Sequence, residues 1–87
     1  MEKPLEIGSV VLSRAGRDKG RFFLVVEIVS DQFVRIADGD MRRLETTKLK
    51  KIKHLKATGN IIENIAEKLK KSAKVYDAEI YSALRKL

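Results

Sequence analysis

The first half of the chain alternates between apolar and polar residues. Successive side chains of a strand point to opposite faces, so a period of two predicts β-strands. The alternation predicts a first strand over residues 8–13, with Val10 and Leu12 on one face, and a second strand over residues 21–29. The second strand is apolar on both faces, and strands of that kind are usually covered on both sides. We therefore expect it to lie at the centre of the fold.

The two apolar faces of the second strand differ in their expected environment. We expect Phe22 and Leu24 to face the core, and Phe23 to lie beneath helices from the C-terminal part of the chain. Stacking of Phe23 or Phe33 on RNA bases is the minor interpretation of these aromatic residues. The central strand is thus predicted to hold the sheet and the helices together.

A third strand is predicted over residues 33–37, followed by the dipeptide Asp38-Gly39. Such a dipeptide favours a two-residue type I′ turn, which requires φ > 0 at both central residues. A fourth strand over residues 41–45 would then pair back on the third and expose one of its two arginines.

Residues 46–56 allow two interpretations. The spacing of Leu49, Ile52 and Leu55 permits a helical turn, whereas the alternation of lysines permits a final strand over residues 51–55. We favour the strand, because five short strands can close into a small barrel without exposed edges.

The period of the apolar residues changes from 2 to 3.6 after residue 57. Asn60 followed by Glu63 has the spacing of a capping box, which predicts a helix start. Asp77 is predicted to cap a second helix that ends near Lys86. We expect the two helices to form a hairpin against the sheet, with Tyr76 and Tyr81 packed between them and the sheet. The predicted apolar stripes are Ile62, Ile65, Ala66 and Leu69 in the first helix, and Ile80, Leu84 and Leu87 in the second.

The chain has 87 residues, which is the size of one small domain. These patterns predict a mainly β protein with C-terminal helices, in the α+β class. We expect one compact unit, with a five-stranded barrel over residues 1–57 and a helical pair over residues 58–87. An extended path is expected around Pro4.

Cysteine is absent, which excludes disulfides and thiolate metal sites and suggests a reducing compartment. The first six residues have neither a basic start nor an apolar core, so we expect no signal peptide. No apolar run approaches the roughly 20 residues of a membrane span. We therefore expect a cytoplasmic protein that does not bind membranes.

The formal net charge of +7 is concentrated in two segments and favours a polyanionic partner. Residues 42–56 contain seven cations and a single acidic residue, Glu45. Residues 14–21 contain four cations and one acidic residue, Asp18, which we expect to stabilise its own turn. A loop turned by Gly16 and Gly20 would fix its cations before binding, and this suits a phosphate backbone.

The arrangement of this loop resembles the KOW motif. Ile7-Gly8 precedes the first strand, Gly16 and Lys19-Gly20 follow it, and a second apolar strand comes next. The likeness is closest to KOW-type large-subunit ribosomal proteins of archaea and eukaryotes and their small relatives. It covers about residues 5–57 and includes Asp31-Gln32 and the segment Ala37-Asp38-Gly39. Phe23 departs from it, because many KOW motifs have a third glycine at that place.

The resemblance implies an SH3-like barrel that binds structured RNA, in particular large-subunit ribosomal RNA, with ribosomal proteins as further partners. It implies a ribosome-associated role in translation, and Gly8, Gly16 and Gly20 as the motif glycines. The expected RNA-binding residues are Arg14, Arg17, Lys19, Arg21, Arg42, Arg43, Lys48, Lys50, Lys51 and Lys53.

Two other functions compete with RNA binding. The first is an SH3-like protein-interaction module that acts with the translation or transcription machinery, since fold alone does not define function. The second is binding of DNA or an acidic membrane through charge, although the helices lack the aromatic anchors that membrane binding favours.

Catalysis is not expected. The sequence has no cysteine nucleophile, no phosphate-binding P-loop and no histidine–carboxylate–serine set in plausible register. His54 is the only histidine and makes a poor metal site, because structural zinc needs four ligands. We expect no metal, no cofactor and no small-molecule substrate.

Overall fold

Five antiparallel strands form one sheet in the order β4-β3-β2-β1-β5, and two helices follow it. The structure, a computed structural model, describes residues 5–87, so the path expected around Pro4 lies outside the described residues. The α+β class and the C-terminal position of the helices are confirmed. The elements are β1 (Ser9–Ser13), β2 (Phe22–Ile28), β3 (Phe33–Ala37), β4 (Lys48–Lys51), β5 (Leu55–Ile61), α1 (Glu63–Lys70) and α2 (Asp77–Arg85).

The central strand β2 is buried on both faces, as its sequence predicts. Phe23 and Leu24 are neighbours on opposite faces, and both are 0% exposed. On one face, Phe23 packs in a cluster to which β1, β3 and β5 also contribute. On the other face, Leu24 packs with residues of the helices. The inner cluster is Val11, Phe23, Val25, Val34, Ile36 and Leu55, and the outer one is Val10, Leu24, Ala37, Ile65 and Ile80.

The assignment of the two faces was wrong. The helices cover the face of Leu24, and Phe23 lies in the cluster formed by strand residues on the other face. Phe22, which we expected in the core, is 47% exposed at the start of β2. Alternation determines which side chains share a face, but it does not determine which face the helices cover.

The predicted fourth strand over residues 41–45 was also wrong. Residues 38–47 form a loop that contains a short 3-10 helix, Leu44–Thr46, and β4 begins only at Lys48. The Asp38 carboxylate explains the wider loop, because its Oδ1 accepts two backbone N–H groups of the loop at 2.9 and 2.8 Å. Asp38 does not take the positive φ that a type I′ turn requires.

The favoured strand over residues 51–55 was wrong in its bounds, whereas the alternative, a helical turn, is found within residues 46–56. A 3-10 turn occupies Ile52–His54, and a strand, β5, begins at Leu55. This strand continues to Ile61. In the part of the chain that the structure describes, β4 and β5 lie at opposite edges of an open sheet, so closure into a barrel is not confirmed.

The helix caps differ from those predicted. Asn60 lies inside β5, and α1 begins at Glu63 without a side-chain cap. Asp77 is the first residue of α2, and its carboxylate instead accepts the backbone N–H of Leu44 at 2.7 Å. This hydrogen bond joins the start of α2 to the loop over residues 38–47.

The predicted helical stripes are confirmed at their centres. Ile65 and Ile80 are at most 1% exposed and meet in the outer cluster. Leu87, at the end of the second stripe, is 56% exposed. Tyr76 and Tyr81 are 57% and 40% exposed, so the prediction that they pack beneath the helices was wrong.

Gly8, which directly precedes β1, lies in close contact with α1. Its φ is +92°, and a Cβ added there would collide with the Cβ of Ala66 and lie 3.1 Å from its Cα. The Gly8 carbonyl also accepts the N–H of Ile62 at 2.9 Å. This predicted motif glycine therefore allows α1 to pack on β1.

We expect Gly8→Ala to destabilise the protein more than Gly59→Ala does. Gly59 also has a positive φ, +86°, but it has open space around its Cα. Gly59→Ala should lower the free energy of unfolding by about 1–2 kcal/mol, because alanine disfavours the left-handed backbone conformation. Gly8→Ala should lose about 1–3 kcal/mol more through overpacking. Urea denaturation followed by circular dichroism measures both, and equal losses would contradict close packing at Gly8.

Candidate nucleic-acid interface

The Asp18 carboxylate connects three segments of the predicted RNA-binding surface. It is 6% exposed, and its Oδ2 lies 2.9 Å from Nζ of Lys48 and 3.9 Å from Nη2 of Arg42. The expected cap of the turn is made by the Asp18 backbone, whose carbonyl accepts the N–H of Arg21 at 3.0 Å, and not by the side chain. The Asp18 side chain instead links the loop over residues 14–21, which we call the basic loop, to β4 and to the loop over residues 38–47.

This environment lowers the pKa of Asp18. The hydrogen bond from Lys48 favours the charged form most, burial opposes it, and the positive charges of Lys48, Arg42 and Lys50 add to the lowering. The pKa of Asp18 therefore lies below its ordinary value of 3.8. The carboxylate is ionised at neutral pH and neutralises part of the surrounding positive charge.

Lys50 forms a hydrogen bond with the backbone of the basic loop. It is 8% exposed, and its Nζ donates a hydrogen bond to the Ala15 carbonyl at 3.1 Å. Lys48 is engaged with Asp18 in a similar way. We assign these two predicted RNA-binding residues to positioning of the loop.

The backbone of the basic loop is fixed by hydrogen bonds at its base. The N–H of Ser13 donates to the Arg21 carbonyl and the N–H of Gly20 to the Ser13 carbonyl, both at 2.9 Å. The N–H of Arg14 donates to the His54 carbonyl at 2.8 Å, which connects the loop to the 3-10 turn before β5. Gly16 takes a positive φ of +78°, and Gly20 one of +86°. The four cations Arg14, Arg17, Lys19 and Arg21 are all exposed.

The remaining predicted residues lie in the loop over residues 38–47, in β4 and in the 3-10 turn after it. Arg43 is exposed, and its Nε donates to the Asp40 carbonyl at 3.4 Å. Lys53 is exposed in the 3-10 turn, and Lys51 is exposed with its ammonium 5.8 Å from the centroid of the Phe33 ring. Arg42 is half-buried through its contact with Asp18. Residues 14–21 and 38–53 together contain ten cations and four carboxylates, so the surface they form is strongly positive.

A second ion pair joins the basic loop to the neighbouring loop. Nη2 of Arg21 lies 3.6 Å from Oδ2 of Asp38, whose carboxylate is already fixed by backbone N–H groups. Arg21 keeps 44% of its side chain exposed in this pair. Its guanidinium is therefore held in place and remains accessible to a ligand.

Two aromatic residues that were expected to be buried are exposed beside this surface. Phe22 and Tyr81 line one shallow groove together with Arg21 and Arg85. The adjacent pair Phe22-Phe23 contained a signal, because neighbouring strand residues cannot share a face. That signal could not show which of the two is exposed.

No three His, Asp or Glu side chains within residues 5–87 are grouped so that they could hold a metal ion. His54 is half-buried, and its carbonyl supports the basic loop. None of the helices in the described range is long and apolar enough to cross a membrane.

Comparisons with known proteins add no assignment: no protein-family model matches the sequence, and no curated protein matches it significantly. The function is therefore inferred from the geometry and charge of the surface itself.

We expect Asp18→Asn to lower the free energy of unfolding by about 1–3 kcal/mol at pH 7, because it weakens charged hydrogen bonds to a buried group. The folded-state pKa of Asp18 is lowered, so its stabilisation is complete above about pH 4 and is lost as pH falls through the lower folded-state value. The difference between the variant and the wild-type protein should thus shrink between pH 7 and pH 3, as measured by urea denaturation.

Asp31→Asn provides the control, because Asp31 is exposed in the turn between β2 and β3. It removes the same charge and should leave stability nearly unchanged. A loss for Asp18→Asn that stayed equal at pH 7 and pH 3 would contradict the stabilising role of the ionised carboxylate.

Proposed function

We propose that this protein is a non-catalytic RNA-binding protein whose contact surface is the basic loop and the cations around it. The observation that carries the proposal is that Asp18, Lys48 and Lys50 fix the basic loop through an ion pair and a hydrogen bond. The four cations of the loop itself stay exposed. Donors fixed before binding lose less entropy when they contact phosphates. Phosphate contacts of this kind give affinity and position the protein on its ligand.

We further propose that the sheet is an SH3-like barrel of the KOW type. The strand order, with β1 between β2 and β5, supports this proposal. Register shifts in the pairing of β1 with β5 and of β2 with β3 support it as well, because such irregularities bend strands. With the KOW-like sequence, this favours a ribosomal role, with large-subunit ribosomal RNA as the ligand, ribosomal proteins as neighbours and the cytoplasm as the location.

A protein-interaction module is the second candidate. The exposed aromatic rings of Phe22 and Tyr81 favour it, because aromatic grooves also bind peptides. The charge of the surface favours RNA, since ten cations against four carboxylates exceed what an ordinary peptide groove requires.

We expect charge reversal of the loop tip, Arg17→Glu with Lys19→Glu, to weaken binding of a structured RNA hairpin by at least about tenfold. If the wild-type protein neutralises about five phosphates, log K should fall with log salt at a slope of roughly −3.5 to −4.5. The variant should show a flatter slope, because it loses phosphate contacts. Fluorescence anisotropy at several salt concentrations measures both quantities.

The matched control is Lys70→Glu with Lys71→Glu, which changes the net charge by the same amount. These exposed residues lie at the end of α1, and α1 packs at Gly8, at the opposite end of β1 from the basic loop. The control should keep most of the affinity. Equal weakening by both variants, or a wild-type slope near zero, would contradict a site at the basic loop.

We expect the tagged protein in a cell lysate to sediment with the large ribosomal subunit on a sucrose gradient. RNase treatment or high salt should release it, because the contact depends on RNA and on charge. Sedimentation at the top of the gradient under all conditions would contradict ribosome association. Binding of the purified protein to RNA hairpins would then still support an RNA-binding role outside the ribosome.

A further inference from the structure

Phe22 and Tyr81 share a shallow groove at the margin of the basic surface, between the start of β2 and α2. The groove has a volume of about 210 Å³, and Arg21, Asp38 and Asp40 also line it. Phe22 is 47% exposed and Tyr81 40%, although Phe23 next to it is fully buried. Two accessible aromatic side chains on one groove form a surface for a flat ligand.

The Tyr81 ring is held in place by its neighbours. The Arg85 guanidinium lies 5.1 Å from the ring centroid, and its Nη1 donates a hydrogen bond to the Tyr81 hydroxyl at 2.7 Å. Ile80, the preceding residue, is fully buried in the outer cluster. A Cβ added to Gly39 would collide with the backbone of α2 at the Asp77 carbonyl, so the helix lies directly on the loop over residues 38–47. The groove is therefore formed before any ligand binds.

Arg21 connects the groove to the basic loop, because it lines the groove and also ends the loop. A phosphate backbone bound along the loop would pass next to Phe22. The groove is lined by two carboxylates, Asp38 and Asp40, and by two guanidinium groups, Arg21 and Arg85. Their formal charges cancel, so the groove attracts phosphate less than the basic loop does. An uncharged aromatic group attached to a phosphate chain fits both features.

We propose that this groove binds an unpaired nucleobase of the RNA by stacking it on Phe22 and Tyr81. The inference depends on the proposed RNA-binding function and extends it, because it assigns single-stranded loops or bulges as the preferred ligand. Splayed bases of single-stranded RNA are commonly stacked on aromatic and arginine side chains. Such stacking tolerates different sequences, because every base has a π-face.

The test compares an RNA hairpin with an unpaired loop, the same hairpin with abasic loop nucleotides, and a blunt duplex with an equal number of phosphates. Phe22→Ala and Tyr81→Ala should each weaken binding of the normal hairpin by about tenfold. Binding of the duplex and of the abasic hairpin should stay unchanged, as should the salt slope. Fluorescence anisotropy gives the affinities, and circular dichroism establishes that the variants fold.

Tyr76→Ala is the matched control. Tyr76 is 57% exposed and has a cation near its ring, with the Lys74 ammonium 5.4 Å from the centroid, but it does not line the groove. It should bind all three RNAs like the wild-type protein. Loss of hairpin binding in Tyr76→Ala equal to that in Phe22→Ala would overturn the assignment of the groove.

A measurement without disruption of the groove uses Tyr76→Phe, which leaves Tyr81 as the one tyrosine of the chain. Its fluorescence should be quenched by the normal hairpin and not by the abasic one. Equal quenching by both RNAs, or normal hairpin affinity in Phe22→Ala and Tyr81→Ala, overturns the inference while the RNA-binding proposal stands. Failure of the wild-type protein to bind any of the three RNAs overturns the proposed function itself.

Discussion

The fold depends on one strand, β2, that is buried on both faces. Phe23 packs with other strand residues on one face of the sheet and Leu24 packs with the helices on the other, and each is fully excluded from water. Burial of a large apolar side chain contributes roughly 1.5–3 kcal/mol, so this pair of adjacent residues links two hydrophobic clusters in a chain too small for one large core. Phe22, the first residue of β2, is exposed and directly follows the basic loop.

The cations of the proposed RNA surface have two roles: some fix the basic loop, and others are exposed for contact with phosphate. Lys48 and Lys50 are engaged by Asp18 and by the Ala15 carbonyl, and they hold the basic loop from beneath. Arg17 and Lys19 remain exposed in the basic loop. A surface in which some charges fix the backbone while others face the solvent combines a defined shape with attraction for phosphate, and both properties serve recognition of structured RNA.

The sequence pattern predicted the elements that depend on local periodicity. It did not predict the features that depend on contacts between residues far apart in the sequence. The first three strands, the apolar stripes of both helices and the exposed cations at the loop tip follow from alternation and spacing. The contact between Asp18 and Lys48 could not be predicted in this way, because the two residues are thirty positions apart in the sequence. The turn at Asp38 was mistaken because its carboxylate binds the backbone of a wider loop. Exposure of Phe22 depends on where the helices dock, and periodicity contains no information about that.

The most direct test of the account is an NMR titration of the isotopically labelled protein with a structured RNA hairpin. If RNA binds at the basic loop, the largest amide shift changes occur in residues 14–22 and 42–53, with small changes in α1 and at the Gly59 end of β5. Changes that are confined to α1 and β5, or that are absent at RNA concentrations well above those of the protein, would contradict an RNA-binding surface at the basic loop.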